Sequence, residues 1–336
     1  MADKRFLKIL VKLPNKLGDT IMATSFLLAL KKYFPNSKVD VILAKGISEL
    51  KYFMPYINHF HEFSKTEYSG VIGNYKFGKM ISKHEIYDLY FCLPFSFSSA
   101  ISGFFTKSQK RIGHNTENRG FLFTNSYRLP SGLHVVEDFL NLLENFLGKK
   151  IDYDAPKLEF QNAIEFNLPG KDYIVLNVRS GPPSRFIPIS KAVEIIKVLK
   201  EKYPYEIVLT GAPFEKEYID EIEVNVTSNY PVINLAGKTS IIELGWVLKN
   251  ATAMISTDSG NAHFANALGT KTVVLFGAGL QSRCHPYNKE LLRSLQLLDL
   301  DCVPCRSEHC KSNDNRCLAN IENDSIVAAM EELMSK

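Results

Sequence analysis

The stretch STDSGNAHFANALGTKTVVLFG, residues 256–277, constrains the fold of this chain more than any other segment. Residues 253–257 are a short apolar run of strand type, and Asp258-Ser259-Gly260 is a turn. Residues 261–268 have helical spacing, and residues 272–276 read as a second buried strand. Two buried strands joined through a short helix must lie parallel, covered on both faces by helices. Ser259 is suited to cap the helix, and Gly260 lets the backbone come close to a ligand. The free N–H groups at the helix start attract an anion such as a phosphate. Strand end, glycine turn and helix start together form the usual ligand crevice of an open α/β sheet.

The same grammar runs through the rest of the chain. In the first half, strands are expected at 6–13, 39–43, 87–93 and 110–113, with helices at 19–34 and 134–147 and a Tyr- and Gly-rich loop region around Lys65, Lys76 and Lys79. Residues 148–169 lack periodicity, carry Pro156 and Pro169, and read as a linker. A second series opens with YIVLNV at 173–178. It continues through a Gly-Pro-Pro loop, a helix at 190–202, a strand at 206–210 and helices near 215–222 and 240–249. Residues 323–334 read as a closing helix. At 336 residues the chain has room for two such domains. We expect residues 1–155 and 156–322 to form two Rossmann-like domains with parallel sheets facing a central cleft. Residues 323–336 are expected to pack back on the first.

A formal charge of +4 is too mild for a dedicated nucleic-acid binder and suits acidic substrates or passing contact with an anionic membrane. Residues 1–5 lead at once into an amphipathic strand pattern rather than a signal peptide. The uncharged stretch 89–106 holds Pro94 and five serines, which makes it a strand, loop and helix rather than a span. The expected location is the cytoplasm, with any membrane contact peripheral.

Several residues carry chemistry. Gly18-Asp19 follows the first strand, where a carboxylate can act as general base towards a hydroxyl; the alternative is a helix cap. RSGPPSR at 179–185 offers Ser180, Ser184 and two guanidiniums, a set suited to a diphosphate, or else it is a solvated loop. Asp258 and His263 are suited to sugar hydroxyls and phosphate, or to turn and packing roles. Lys107, Lys110, Arg111, Arg119 and Arg128 form either a solvated basic face or an acceptor site for an anionic glycan. Cys302, Cys305, Cys310 and Cys317 fall within 16 residues. They read as a structural zinc or iron site, as reduced thiols or as a disulfide.

Taken together, KILVKLPNKLGDTIMATSFLLALKKYFP at 8–35, YDLYFCLP at 87–94, KRIGH at 110–114, LAGKTSIIEL at 235–244 and the 256–277 stretch resemble glycosyltransferase family 9, the lipopolysaccharide heptosyltransferases. The CVPC…C…C segment is similar to that of the subgroup adding the second heptose, and to the metal-bearing finger of related protein heptosyltransferases. The resemblance implies a GT-B fold and an inverting transfer from ADP-heptose to the lipid A–Kdo inner core, at the inner face of the inner membrane. It implies Asp19 as base and Arg185 as the cation on the leaving diphosphate. Ser180 and Ser184 would contact phosphate, Thr257, Asp258, Ser259, Gly260 and His263 the donor, Lys238 and Thr239 the adenine, and Glu215 the ribose. Gly18, Lys110, Arg111 and Arg119 would meet the acceptor. No catalytic metal is implied. Alternatives are a relative using another nucleotide sugar or a protein acceptor, a non-catalytic glycan binder, or a two-domain epimerase.

Overall fold

The computed structural model describes residues 6–160, 166, 168, 172–227 and 229–335. They form two compact units, residues 1–162 and 163–336. The boundary lies inside the expected linker, of which 149–160 has no regular structure and part lies outside the described residues.

The N-terminal unit holds β1 (Lys8–Lys12), α1 (Leu17–Met22), α2 (Thr24–Tyr33), β2 (Lys38–Ala44), β3 (His59–Phe63), α3 (Gly70–His84), β4 (Leu89–Cys92), α4 (Phe97–Phe105), β5 (Lys110–His114), β6 (Asn125–Tyr127) and α5 (Val135–Leu147). All its strands are parallel, in the order β3-β2-β1-β4-β5-β6. The C-terminal unit repeats this plan. It holds β7 (Tyr173–Asn177), α6 (Ile189–Lys202), β8 (Glu206–Leu209), α7 (Lys216–Asn225), β9 (Ile233–Asn234), α8 (Ile241–Asn250), β10 (Ala253–Thr257), α9 (Gly260–Ala267), β11 (Thr272–Phe276), α10 (Gln281–Cys284), β12 (Leu292–Gln296), α11 (Arg316–Ala319) and α12 (Asn323–Met334). Its order, β12-β11-β10-β7-β8-β9, is the same arrangement counted from the other edge. In each sheet the order reverses beside the first strand, at β1/β4 and at β7/β10, and there the loops diverge to leave a crevice at the carboxyl ends.

The central strands are continuous apolar runs because helices cover both faces; Ile9, Leu10 and Val11 of β1 and all of β7, β10 and β11 are buried. The expected helix at 19–34 is two helices meeting at Ala23, with Lys16 rather than Asp19 at the N-cap of the first. The Tyr- and Gly-rich region is not a loop: most of it is α3. Its glycines permit close packing, since a Cβ on Gly78 would lie 2.3 Å from the Ser102 carbonyl oxygen of α4. The apolar face of α12, Ile326, Ala329, Met330 and Leu333, is spent in the core of its own C-terminal unit, on β11, β12 and α6.

Candidate functional site

In the C-terminal unit the chemistry gathers where β7 and β10 end. Asn177 closes β7, and its amide nitrogen donates to the Arg179 carbonyl at 2.8 Å. Its amide oxygen accepts from Asn261 at 2.7 Å, tying the loop after β7 to the first turn of α9. Ser259 caps α9 by accepting from the Ala262 N–H at 3.2 Å, and its hydroxyl lies 2.9 Å from that of Ser256. These bonds fix the Gly260 start of α9 just beyond the end of β10. The Arg185 guanidinium is paired with the buried Asp258 carboxylate at 3.1 Å, and the Thr257 hydroxyl donates to the Arg185 carbonyl at 2.5 Å. A Cβ on Gly279 would lie 2.4 Å from Asp258 Oδ2, so a side chain there would displace this carboxylate. His263 is buried on the same helix.

The two arginines of RSGPPSR diverge. Arg185 is one-third exposed, whereas Arg179 lies over the Phe186 ring at 4.3 Å and beside Tyr218 at 5.4 Å. Ser180 is half-buried. Ser184 is 2% exposed, and its hydroxyl donates to the Ser307 carbonyl at 2.5 Å, so the structure uses it to fasten the loop. The Ser184 N–H donates to the Glu308 carbonyl at 3.1 Å. The Asn315 side chain donates to the carbonyls of both Pro183 and Phe186 at 2.8 Å. The segment 302–317 therefore struts the arginine-bearing loop, a role that spacing alone does not disclose. Glu215 is buried, and burial raises its carboxyl above the usual range; the Ala212 N–H donates to it at 2.9 Å, which fixes its own turn. Lys238 is exposed and donates to the Asn234 carbonyl at 2.9 Å, with Thr239 next to it at the start of the α8 turn.

The four cysteines line one cavity of about 740 Å³ with Lys311 and Arg316. Among the described residues no three His, Cys, Asp or Glu side chains are arranged to hold a metal ion. Cys302 and Cys305 are exposed, while burial, with the neighbouring thiols adding to it, pushes the Cys317 thiol up to about 11. In this arrangement Cys317 is held as a thiol, near enough to the other three for their charges to raise its proton affinity.

In the N-terminal unit Gly18 and Asp19 lie in the first turn of α1, beyond the carboxyl end of β1. The basic acceptor candidates divide, with Arg119 at the same carboxyl edge, bonded to the end of β5 and the loop after β4. Lys110 and Arg111 begin β5, at the amino-terminal edge of a parallel sheet, opposite to the edge where Asp19 lies. Arg111 donates to the Leu122 and Ser108 carbonyls at 3.0 and 3.1 Å. Arg119 is fully buried and donates to the carbonyls of His114 at 3.1 Å and Ser96 at 2.7 Å. Both arginines hold loops together, Arg111 half-buried and Arg119 buried. The cation at the crevice edge is Lys12, the last residue of β1, which is 1% exposed. A lysine ending the run KILVK reads as an exposed strand end, so only the fold reveals it.

Comparisons agree with this architecture. The model of glycosyltransferase family 9 (heptosyltransferase) matches residues 75–315. The lipooligosaccharide heptosyltransferase 2 of Campylobacter jejuni subsp. jejuni (serotype O:6) is 27% identical over 335 residues, covering 97% of this chain and 99% of that protein. The E. coli ADP-heptose lps heptosyltransferase II structure superposes with a TM-score of 0.82 at 22% identity, covering 98% of this chain and 99% of the other. A family 9 glycosyl transferase from Veillonella parvula DSM 2008 superposes with a TM-score of 0.85 at 18% identity, covering 99% and 98%. The fold is GT-B, two Rossmann-like units in tandem.

Proposed function

On the premise that this chain belongs to glycosyltransferase family 9, the heptosyltransferases, we propose that it moves heptose from ADP-heptose to the Kdo/heptose inner core of a lipopolysaccharide, with inversion at the anomeric carbon. The observation that carries this reading is the β7/β10 crevice: an open helix start at Gly260 beside an arginine that a buried Asp258 holds in place. Such a pair of donors neutralises the charge that builds on a departing diphosphate.

In this reading the C-terminal unit holds the donor. Arg185, Ser180 and the α9 start take the diphosphate, and Thr257, Asp258, Ser259 and His263 surround it. Lys238 and Thr239 meet the adenine, and Glu215 the ribose. Ser184 serves them indirectly, as the fastening of the loop. The N-terminal unit supplies Asp19, which takes the proton of the acceptor hydroxyl as its oxygen attacks the face opposite ADP, with Gly18 allowing close approach. Protein cations and N–H groups carry the leaving-group charge, so no step is routed through a metal. No helix among the described residues is long and apolar enough to cross a membrane, so a lipid-linked acceptor would be met peripherally, at the inner face of the inner membrane.

The test is ADP release from ADP-heptose with a lipid A–Kdo acceptor, bare or already carrying one heptose. Release only with the heptosylated acceptor assigns the second-heptose step, and release with the bare acceptor assigns the first. Asp19→Ala should cut turnover by orders of magnitude while donor affinity survives; undiminished turnover removes Asp19 from its role. Absence of donor binding overturns the heptose reading.

A further inference from the structure

Lys12 is the most anomalous residue of the N-terminal unit. It ends β1 at the point where the strand order reverses, its side chain is essentially inaccessible to bulk water, and no carboxylate pairs with it among the described residues. Its ammonium donates to Ser102 Oγ at 2.9 Å and to Asn74 Oδ1 at 3.3 Å, and it lies 4.1 Å from the centre of the Phe63 ring. Both acceptors are locked as acceptors. The Ser102 hydroxyl spends its proton on the Ser99 carbonyl at 2.9 Å, and the Asn74 amide nitrogen donates to the Gly70 carbonyl at 2.8 Å, which turns its oxygen to Lys12. Two neutral oxygens and the rings of Phe63 and, at 5.9 Å, Phe77 do not balance a buried full charge. Desolvation accordingly lowers the Lys12 pKa to about 8, which still leaves it mostly charged at neutral pH.

A small cavity of about 170 Å³ opens on this ammonium. A second cation, the exposed Lys65, stands at its rim, and Asn15, Tyr68, Ser98 and Ser99 supply further polar atoms. None of the lining residues is acidic. The first turns of α3 and α4, at Gly70 and at Ser98 and Ser99, both reach this cavity with their positive ends. The α4 start already holds one carboxylate: the Phe97 N–H donates to Glu117 Oε2 at 2.6 Å. A buried cation without a paired carboxylate, a rim cation, the α3 start and a lining without acid make a site suited to an anion, with the α4 start already taken by Glu117. Its volume is several times the share of one water and suits a carboxylate or phosphate with the carbon that bears it.

We propose that this cavity is an anion subsite of the acceptor, in which Lys12 binds a carboxylate or phosphate oxygen and so registers the acceptor hydroxyl for transfer. The inference rests on the transferase reading above. It adds the buried residue that recognises the acid of that acceptor. Lys12 is a binding residue here; it takes no part in the proton transfer.

The experiment compares the wild-type enzyme with Lys12→Met, a neutral side chain of similar length, in steady-state transfer to three acceptors: the Kdo-bearing core, the same core with its carboxyls reduced to alcohols, and the core with its phosphates removed. Loss of one charge-assisted hydrogen bond should raise the acceptor KM about 10- to 100-fold in K12M, with donor affinity unchanged. The acceptor lacking the recognised group should show the same rise with wild type and no further rise with K12M, and which of the two it is identifies carboxylate or phosphate. Should K12M fail to fold, Lys65→Gln at the rim is expected to give a several-fold rise with the same acceptor dependence. An independent arm follows the Lys12 side-chain resonances by NMR as free 3-deoxy-octulosonate or inorganic phosphate is added to wild-type protein. A saturable shift supports the subsite even if no acceptor is turned over, in which case the transferase reading fails and the subsite stands. A folded K12M with unchanged acceptor KM, a penalty that persists with both neutralised acceptors, or no shift with either probe overturns the inference.

Discussion

Burying the Lys12 charge has an energetic signature that can be measured without any substrate. A proton affinity lowered from the ordinary 10.5 to about 8 corresponds to roughly 3 kcal/mol of cost for carrying the charge in the folded state at neutral pH. Lys12→Met removes that cost, but leaves Asn74 Oδ1 and Ser102 Oγ without their donor, at about 1 kcal/mol each. The net expectation at pH 7 is a variant more stable than wild type by about 1 kcal/mol. The sign then reverses with pH. Between pH 8 and 10.5 the unfolded lysine still holds its proton while the folded one has released it, so wild-type stability rises through this window relative to K12M. Near pH 10.5 the variant should be the less stable of the two, by about 2 kcal/mol, because only its lost hydrogen bonds remain. Urea denaturation followed by far-UV circular dichroism measures the difference. The single tryptophan, Trp246, lies in α8 of the C-terminal unit, so its emission reports a transition that K12M should leave in place. A K12M curve that runs parallel to wild type from pH 7 to 10.5, or a variant already destabilised by more than about 2 kcal/mol at pH 7, refutes the picture of an uncompensated buried ammonium.

Four further outcomes follow from the packing. Gly78→Ala should lower N-terminal unit stability by about 1–3 kcal/mol despite its better helix propensity, because the new methyl meets the Ser102 carbonyl at 2.3 Å and Phe105 Cβ at 2.8 Å; thermal melts measure it. Ser240→Ala should cost the C-terminal unit about 1 kcal/mol through loss of the α8 cap, read from Trp246 emission on the same helix. Asn315→Ala releases two carbonyls of the arginine loop and should raise the donor KM several-fold with acceptor KM unchanged; equal donor KM would show that the loop holds its shape without the strut. Asp258→Asn keeps the shape of the side chain but frees the Arg185 guanidinium from its ion pair, and should weaken ADP binding in a calorimetric titration, whereas tighter binding would mean the carboxylate competes with the diphosphate.

The parts of the fold legible in the sequence are those where burial on both faces writes a continuous apolar run. ILV in β1, IVL in β7 and VVL in β11 are unmistakable, and the turn chemistry of Asp258-Ser259-Gly260 marks the crevice beside them. The edge strands β3 (HFHEF) and β12 (LRSLQ) are not, because an edge strand buries little and mixes polar residues into a short run. The α3 sequence GVIGNYKFGKMISKH hides its helix behind three glycines whose reason is tertiary: Gly78 must let the backbone of α4 come close. Arg111 and Arg119 illustrate a related point. Basic side chains in a surface-like stretch suggest an anion site, but their fate depends on which edge of the sheet and which carbonyls the register brings to them. Ser184 likewise sits in a donor-type loop yet spends its hydroxyl on the loop's geometry, and Glu215 gives one carboxylate oxygen to its own turn.

The two units share one strand order but are charged differently at the same topological point, and this difference separates their roles. At β7/β10 the crevice cation Arg185 already has a counter-charge in Asp258, and the surrounding Asn177, Ser256 and Ser259 satisfy one another. Such a site is organised before its ligand arrives, so little reorganisation accompanies diphosphate binding. At β1/β4 the cation Lys12 has only neutral partners, so an arriving anion supplies the missing half of an ion pair in a nearly water-free cavity. Discrimination is steep in that second case, because a neutral analogue leaves the buried charge uncompensated and forfeits a charge-assisted bond. A transferase that must ignore the many hydroxyls of uncharged sugars and of water gains selectivity from such an arrangement. On the proposed reading, the donor unit would recognise a diphosphate common to many nucleotides, and the acceptor unit would admit only a hydroxyl that arrives attached to an acid.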